Sequence, residues 1–116
     1  MTEKPHFPFK KLEGVPPAQV RITELRTEPY DDRRRVKVFL KCTPFSEPPN
    51  VHLELSTSDG LILAQTDIIE TAEAAFVLTM HLREPTAESK LYLTGQVTYE
   101  THGVVDQQTI IFNLPE

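Results

Sequence analysis

Tryptophan is absent from these 116 residues, cysteine occurs once and glycine four times. A single thiol, Cys42, cannot form an intrachain disulfide, which excludes the small disulfide-stapled scaffolds and fits a reducing compartment. The glycines, at 14, 60, 95 and 103, stand alone, so no glycine-rich loop cradles a phosphate. No stretch approaches the roughly 18 apolar residues of a membrane-spanning helix, and Met1 to Lys11 lacks the apolar core of a signal peptide. There is no Asn-x-Ser/Thr glycosylation acceptor either. The expected location is the cytoplasm, with no membrane partner.

What the chain does have is alternation. Val36, Val38, Leu40 and Cys42 are separated by polar or outward-facing residues, and six other short stretches repeat this period of two between Pro, Gly and Asp turns. Period two marks strands with one buried face. The segments are A (19–26), B (34–43), C (51–57), C′ (61–69), E (75–83), F (90–100) and G (104–114). Asp59-Gly60 and Thr101-His102-Gly103 mark tight hairpin turns between C and C′ and between F and G. A competing reading makes Glu70 to Leu82 a helix, since Glu70 to Ala75 favours one, but Phe76, Leu78, Met80 and Leu82 alternate, which leaves room for at most one helical turn. Residues 1–18, with Pro at 5, 8, 16 and 17, read as an extended N-terminal arm, and 19–116 as one β-sandwich domain.

Seven strands, two tight hairpins and about 100 folded residues resemble the immunoglobulin-like sandwich in its fibronectin type III arrangement. That resemblance covers 19–114 and implies an all-β, seven-stranded antiparallel sandwich with sheets A-B-E and C′-C-F-G. The immunoglobulin cysteine pair is missing, and Leu91 stands where strand F of such domains often begins with tyrosine. Because the fold hosts many functions, the resemblance implies a binding or structural module and supplies no site.

No catalytic constellation is present. The serines, 46, 56, 58 and 89, sit at strand ends or in loops without a nucleophile elbow, and Cys42, with His52 and His81 as conceivable bases, lies in the inward phase of strand B. His6, His52, His81 and His102 are scattered over an arm, two strands and a turn, which is not zinc-ligand spacing. Asp31, Asp32, Asp59, Glu84 and Glu88 fall in loops at one end and could hold Ca²⁺, but no Asp-x-Asp-x-Asp-Gly loop accompanies them. The chain is read as a non-enzyme without a cofactor or resident metal.

Charge is segregated along the chain. Ten Lys/Arg face six Asp/Glu in residues 1–45, against two and eleven in 46–116, within a net charge of -5. On strand B the outward phase is Arg35, Lys37, Phe39 and Lys41. With Arg21 from A, and His81 and Arg83 from E, it forms a candidate anion-binding face. Nucleic acid is disfavoured, because overall basic charge and several stacking aromatics are both missing. Basic residues on exposed strands also guard sheets against mispairing, the simpler account of this face.

The last strand breaks the alternation: Val104, Ile110, Phe112 and Leu114 occupy one phase, Val105 and Ile111 the other. Either the Phe7/Phe9/Leu12 arm or a second subunit covers the surplus, or a bulge near Gln107-Gln108 switches the phase. Val105, Ile110, Ile111 and Phe112, with Phe45 and His102 at the adjoining loops, are therefore the candidate partner surface, although ordinary loop composition with Phe45 tucked under the B-C turn is the simpler account of those loops. The functional expectation is a module that binds another protein or self-associates, as a homodimer through the last strand or the arm. The alternative is a domain engaging an anionic polymer, a sugar or Ca²⁺ through the basic face or the acidic loops.

Overall fold

The computed structural model describes residues 13–116, so the candidate covering residues Phe7, Phe9 and Leu12 lie outside the described residues. Seven strands form two antiparallel sheets: β1 (Ile22–Pro29), β2 (Arg35–Cys42), β3 (Asn50–Ser56), β4 (Ile62–Ile68), β5 (Ala75–His81), β6 (Lys90–Tyr99) and β7 (Gly103–Asn113). The three-stranded sheet has the order β1-β2-β5 and the four-stranded sheet β4-β3-β6-β7. Among the described residues, no helix is long and apolar enough to cross a membrane.

Alternation is what puts these residues in strands, because a buried residue at every second position makes the pleat one-sided. Val36, Val38, Leu40 and Cys42 of β2 meet Val51, Leu53 and Leu55 of β3 and Leu91, Leu93 and Val97 of β6 in one buried cluster. Full burial of each Leu or Val stabilises the fold by about 1.5–3 kcal/mol, so this inter-sheet layer is the main stabilising feature. Gly95 lies within it: a Cβ there would come 3.3 Å from the Leu53 side chain and 3.5 Å from Leu25. Between β4 and β5 no helical turn forms. Thr71 closes the crossing instead, its N–H donating to the Pro49 carbonyl (3.0 Å) and its hydroxyl to the Glu73 carbonyl (3.1 Å).

Three one-residue irregularities break the period. In β1 the register slips between Ile22 and Glu24, in β4 opposite Leu55/Ser56, and in β7 opposite Val97/Thr98. Each extra residue moves the remainder of its strand to the other face. The β7 slip leaves Val105 as the inserted residue, next to Val104 at the strand's start rather than at Gln107-Gln108. Beyond it Asp106, Gln108, Ile110 and Phe112 point inward, while Gln107, Thr109 and Ile111 point out opposite Gln96, Thr94 and Tyr92.

The inward polar pair of β7 joins the two sheets along one side. Asp106 Oδ2 accepts the Ile22 N–H at 2.7 Å, Gln108 Nε2 donates to the Ile22 carbonyl at 3.0 Å, and Arg21 donates to the Val105 carbonyl at 3.3 Å. Arg21 bonds toward β2 through its carbonyl, so the Ile22 main-chain groups face the open edge of β1, where these side chains satisfy them.

Residues 13–20 are docked on the sandwich. Val15 forms an isolated parallel bridge with Phe45, its N–H donating to the Pro44 carbonyl and its own carbonyl accepting the Ser46 N–H, both at 2.9 Å. A Cβ on Gly14 would lie 2.3 Å from the Pro44 backbone, so only glycine permits this approach. Phe45 is buried as a result, and a 3-10 turn over Pro17–Gln19 leads into β1.

Asp106→Ala is expected to destabilise the fold by about 1–3 kcal/mol, because it strands the Ile22 N–H at the seam, and Asp106→Asn by less. Urea denaturation checks this: the midpoint should fall at an unchanged m-value, and an unaltered Asp106→Ala midpoint would remove the seam as a stabilising element.

Candidate functional site

Of the residues expected to form a partner surface on the last strand, Ile110 and Phe112 pack against the core, Val105 is half-buried and Phe45 is only 3% exposed. Ile111 (57% exposed) and His102, at the β6-β7 turn, remain on the surface. These six residues do not converge on one patch. Alternation alone locates neither the bulge at Val105 nor the Val15 bridge, and these two features turn Ile110, Phe112 and Phe45 inward.

The basic face is also redrawn. Arg35, Lys37, Phe39 and Lys41 do line the outer face of β2, opposite His81, Thr79, Val77 and Ala75 of β5. Arg21 leaves it, since the residues beyond the β1 slip change sides and its guanidinium turns to the Ala18, Val20 and Val105 carbonyls. Arg83 leaves it as well, because the chain crosses after His81 and Arg83 N–H donates to the Leu63 carbonyl of β4 at 3.1 Å. In their place β1 presents Glu24, Arg26 and Glu28 opposite Lys41, Phe39 and Lys37.

Within this face the charges are unevenly paired. The Arg26 guanidinium lies 3.6 Å from the centre of the Phe39 ring and draws Glu28 (2.9 Å) and Glu24 (3.5 Å) to itself. Arg35 is held by Asp32 at 2.7 Å and sits over Tyr30. Lys37 and Lys41 have no carboxylate in salt-bridge contact among the described residues. A shallow groove of about 290 Å³ opens at the Lys41 end, between β2 and β5, with Phe39, Ala75 and Val77 along it and Arg26, Lys41 and Glu24 at its rim.

The groove reaches β5, an outer strand of its sheet. The described residues form four sheet edges, and three are obstructed. β1 carries Glu24, Arg26, Glu28 and Pro29 and is stitched to β7; β7 is interrupted at Val105 and stitched in return; β4 is interrupted at Leu63, whose carbonyl is taken by Arg83. From Ala75 to Met80, by contrast, β5 has no charge, proline or slip. Leu82 N–H donates to Arg34 and Cys42 N–H to Ala74, so the even-numbered residues of this segment bond to β2. By antiparallel alternation the N–H and C=O groups of Ala75, Val77 and Thr79 point to the open side. Val77 is 55% exposed, and Leu61, Ile62 and Ile69, also exposed, belong to β4 and its flanks on the same side of the sandwich. The sequence signal was the uncharged run Ala75–Met80, whose weight depends on knowing that the strand is an edge.

The other chemical groups serve the fold. Asp32 accepts N–H groups of Arg34 and Arg35, and Asp59 bonds the Thr57 hydroxyl; these contacts hold both carboxyls below their ordinary range. Arg33, at a left-handed φ of 59°, donates to the Pro115 (2.6 Å), Glu88 (3.1 Å) and Thr86 (3.3 Å) carbonyls, tying the acidic loops together. No group of three or more potential metal ligands converges among the described residues. Burial raises the Cys42 thiol above its ordinary pKa, the reverse of what a thiolate nucleophile needs. The Tyr99 phenol, buried with its hydroxyl donating to the Glu47 carbonyl, is pushed up to about 12, chiefly by desolvation.

Comparison with solved structures finds the same sandwich in β-glucuronidases. The Ruminococcus gnavus enzyme in complex with D-glucaro-d-lactam superposes with a TM-score of 0.55 at 12% identity, and the same enzyme with uronic deoxynojirimycin with 0.53 at 13%. Lactobacillus rhamnosus β-glucuronidase gives 0.53 at 17%. Each match covers 83% of this chain and 16% of the enzyme chain. At such identities the likeness establishes an all-β sandwich fold and nothing of the activity. No family model and no curated protein matches the sequence.

One titration is predicted on the opposite sheet. His52 Nε2 lies 2.9 Å from Glu54 and Nδ1 2.6 Å from Asp67, and both bonds favour imidazolium, Glu54 more strongly, against the pull of partial burial. A raised folded pKa means the contribution to stability is complete below the unfolded value, about 6.5, and is lost as pH rises through the folded one. Wild type should therefore exceed His52→Gln in stability by more at pH 5.5 than at pH 8, in urea titrations at those two pH values. A gap that widens with pH would refute the bridge.

Proposed function

We propose that this chain is a non-enzymatic, immunoglobulin-like interaction module that receives an extended segment of another protein along β5. The immunoglobulin-like assignment is supported by the order β1-β2-β5 and β4-β3-β6-β7, which follows the fibronectin type III lettering A-B-E and C′-C-F-G strand for strand. The interaction role is carried by one observation: among the described residues, β5 from Ala75 to Met80 is the edge without a charge, a proline, a slip or a covering strand. Soluble β proteins guard such edges, and an unguarded one is a template for strand addition. Main-chain groups of Ala75, Val77 and Thr79 supply the hydrogen bonds, and the groove beside Phe39 and Val77 accepts a side chain.

This reading moves the interface from the last strand to the opposite side of the sandwich. The role as an anionic-polymer binder is weakened, since Glu24 and Glu28 enter the basic face while Arg21 and Arg83 leave it. The β-glucuronidase activity of the neighbours is not carried over, because the likeness spans only a small domain of those enzymes.

Two exposed positions separate the candidate edges. With the protein immobilised and challenged with extract of its own cells, a partner docking at β5 should be lost with Val77→Lys and retained with Ile111→Lys. The reverse pattern would return the interface to β7. Equal retention by both variants would place it on neither strand.

A further inference from the structure

Resting on the edge-docking reading, we infer that the segment entering at β5 is acidic, with the pattern acidic-x-apolar-x-acidic. Register sets this pattern. β5 presents Ala75, Val77 and Thr79 on its outer face, and behind them on β2 stand Lys41, Phe39 and Lys37 respectively. A strand added to β5 lies two strand spacings from β2, roughly 9 to 10 Å. Lysine and glutamate side chains leaning toward each other cover that span, and the residues between them, Ala75 and Thr79, are small enough to leave the way open. The middle row is different: Phe39 and Val77 offer an apolar surface continuous with the groove of about 290 Å³, which suits an aliphatic side chain.

Charge selects the partner further. Glu24 and Glu28 stand opposite Lys41 and Lys37 on β1, yet both carboxylates turn to Arg26, which is itself anchored over Phe39. Arg26 thus keeps the β1 glutamates away from the lysines and leaves the two ammonium groups to whatever lies beyond β5. Elsewhere the molecule offers an acidic segment less, for the chain carries a net charge of -5 and β4, the neighbouring edge, presents Asp67, paired across to His52, with no lysine or arginine of its own. An acidic strand is attracted to β5 and not to β4, which gives the site both affinity and orientation.

The test is an amide-resolved NMR titration of the whole chain with three capped peptides: Thr-Glu-Thr-Val-Thr-Glu-Thr and its glutamine and lysine counterparts at the two glutamate positions. The acidic peptide should shift the Ala75, Val77 and Thr79 amides and bind about tenfold or more tighter than the lysine peptide at low salt, a preference that salt erodes. In the double variant Lys37→Glu/Lys41→Glu, at one half-buried and one exposed position on the outer face, the order should reverse, and Arg26→Ala should narrow it by releasing Glu24 and Glu28. Equal binding of all three peptides at β5 overturns the acidic pattern while leaving edge docking intact. Failure of every peptide to shift β5 amides at millimolar concentration overturns both.

Discussion

Once the apolar layer between the sheets has formed, the constraint that remains is their open edges, and the Ile22 main chain, its N–H held by the Asp106 carboxylate and its carbonyl by the Gln108 amide, closes one of the two flanks. Two open sheets have four edges, and a protein of this size must leave each satisfied, blocked or available. By bonding β1 to β7 through side chains, the molecule closes one flank without a continuous backbone ladder. The opposite flank, between β4 and β5, is crossed by one main-chain bond just beyond the end of β5, from Arg83 N–H to the Leu63 carbonyl, and the exposed apolar residues Leu61, Ile62, Ile69 and Val77 gather there.

The seam also accounts for two polar residues in what looked like an apolar strand. Asp106 and Gln108 point inward at the sandwich margin, where a hydrophobic side chain would have left the Ile22 groups unpaired. Below them Ile110, Phe112 and Leu114 resume the core pattern against Leu91 and Leu93. A carboxylate near a buried layer is costly unless bonded, and a main-chain N–H at 2.7 Å meets that requirement.

Much of the architecture was legible because alternation is a local signal. Val36, Val38, Leu40 and Cys42 read as an inward phase and are one, and the Asp59-Gly60 turn does join β3 to β4. What escaped were the places of single-residue insertions. The slip near Thr23 exchanges Arg21 for Glu24, Arg26 and Glu28 on the outer face, and the slip at Val105 turns an apparently two-sided strand into a one-sided one. A period-two pattern extrapolated across either position inverts every assignment beyond it. Phe45 is tucked in, as the simpler account of its loop had it, but beside a bridge to Val15, far earlier in the chain, that no window of local sequence contains. The β5 edge was hidden similarly, since its lack of charge has meaning only once its place at the margin of the sheet is known.

Arg33 holds the far end of the sandwich together by touching main-chain oxygens, on Thr86, Glu88 and Pro115. A clamp of that kind imposes no requirement on the side chains it gathers. Apart from the buried Leu82 and Leu114, the 82–89 loop and the C-terminal residues can change composition, and even charge, while their paths stay fixed by one guanidinium. The exposed part of that end is therefore free to diversify in sequence without loss of shape, provided the arginine, its left-handed turn and the two core leucines persist.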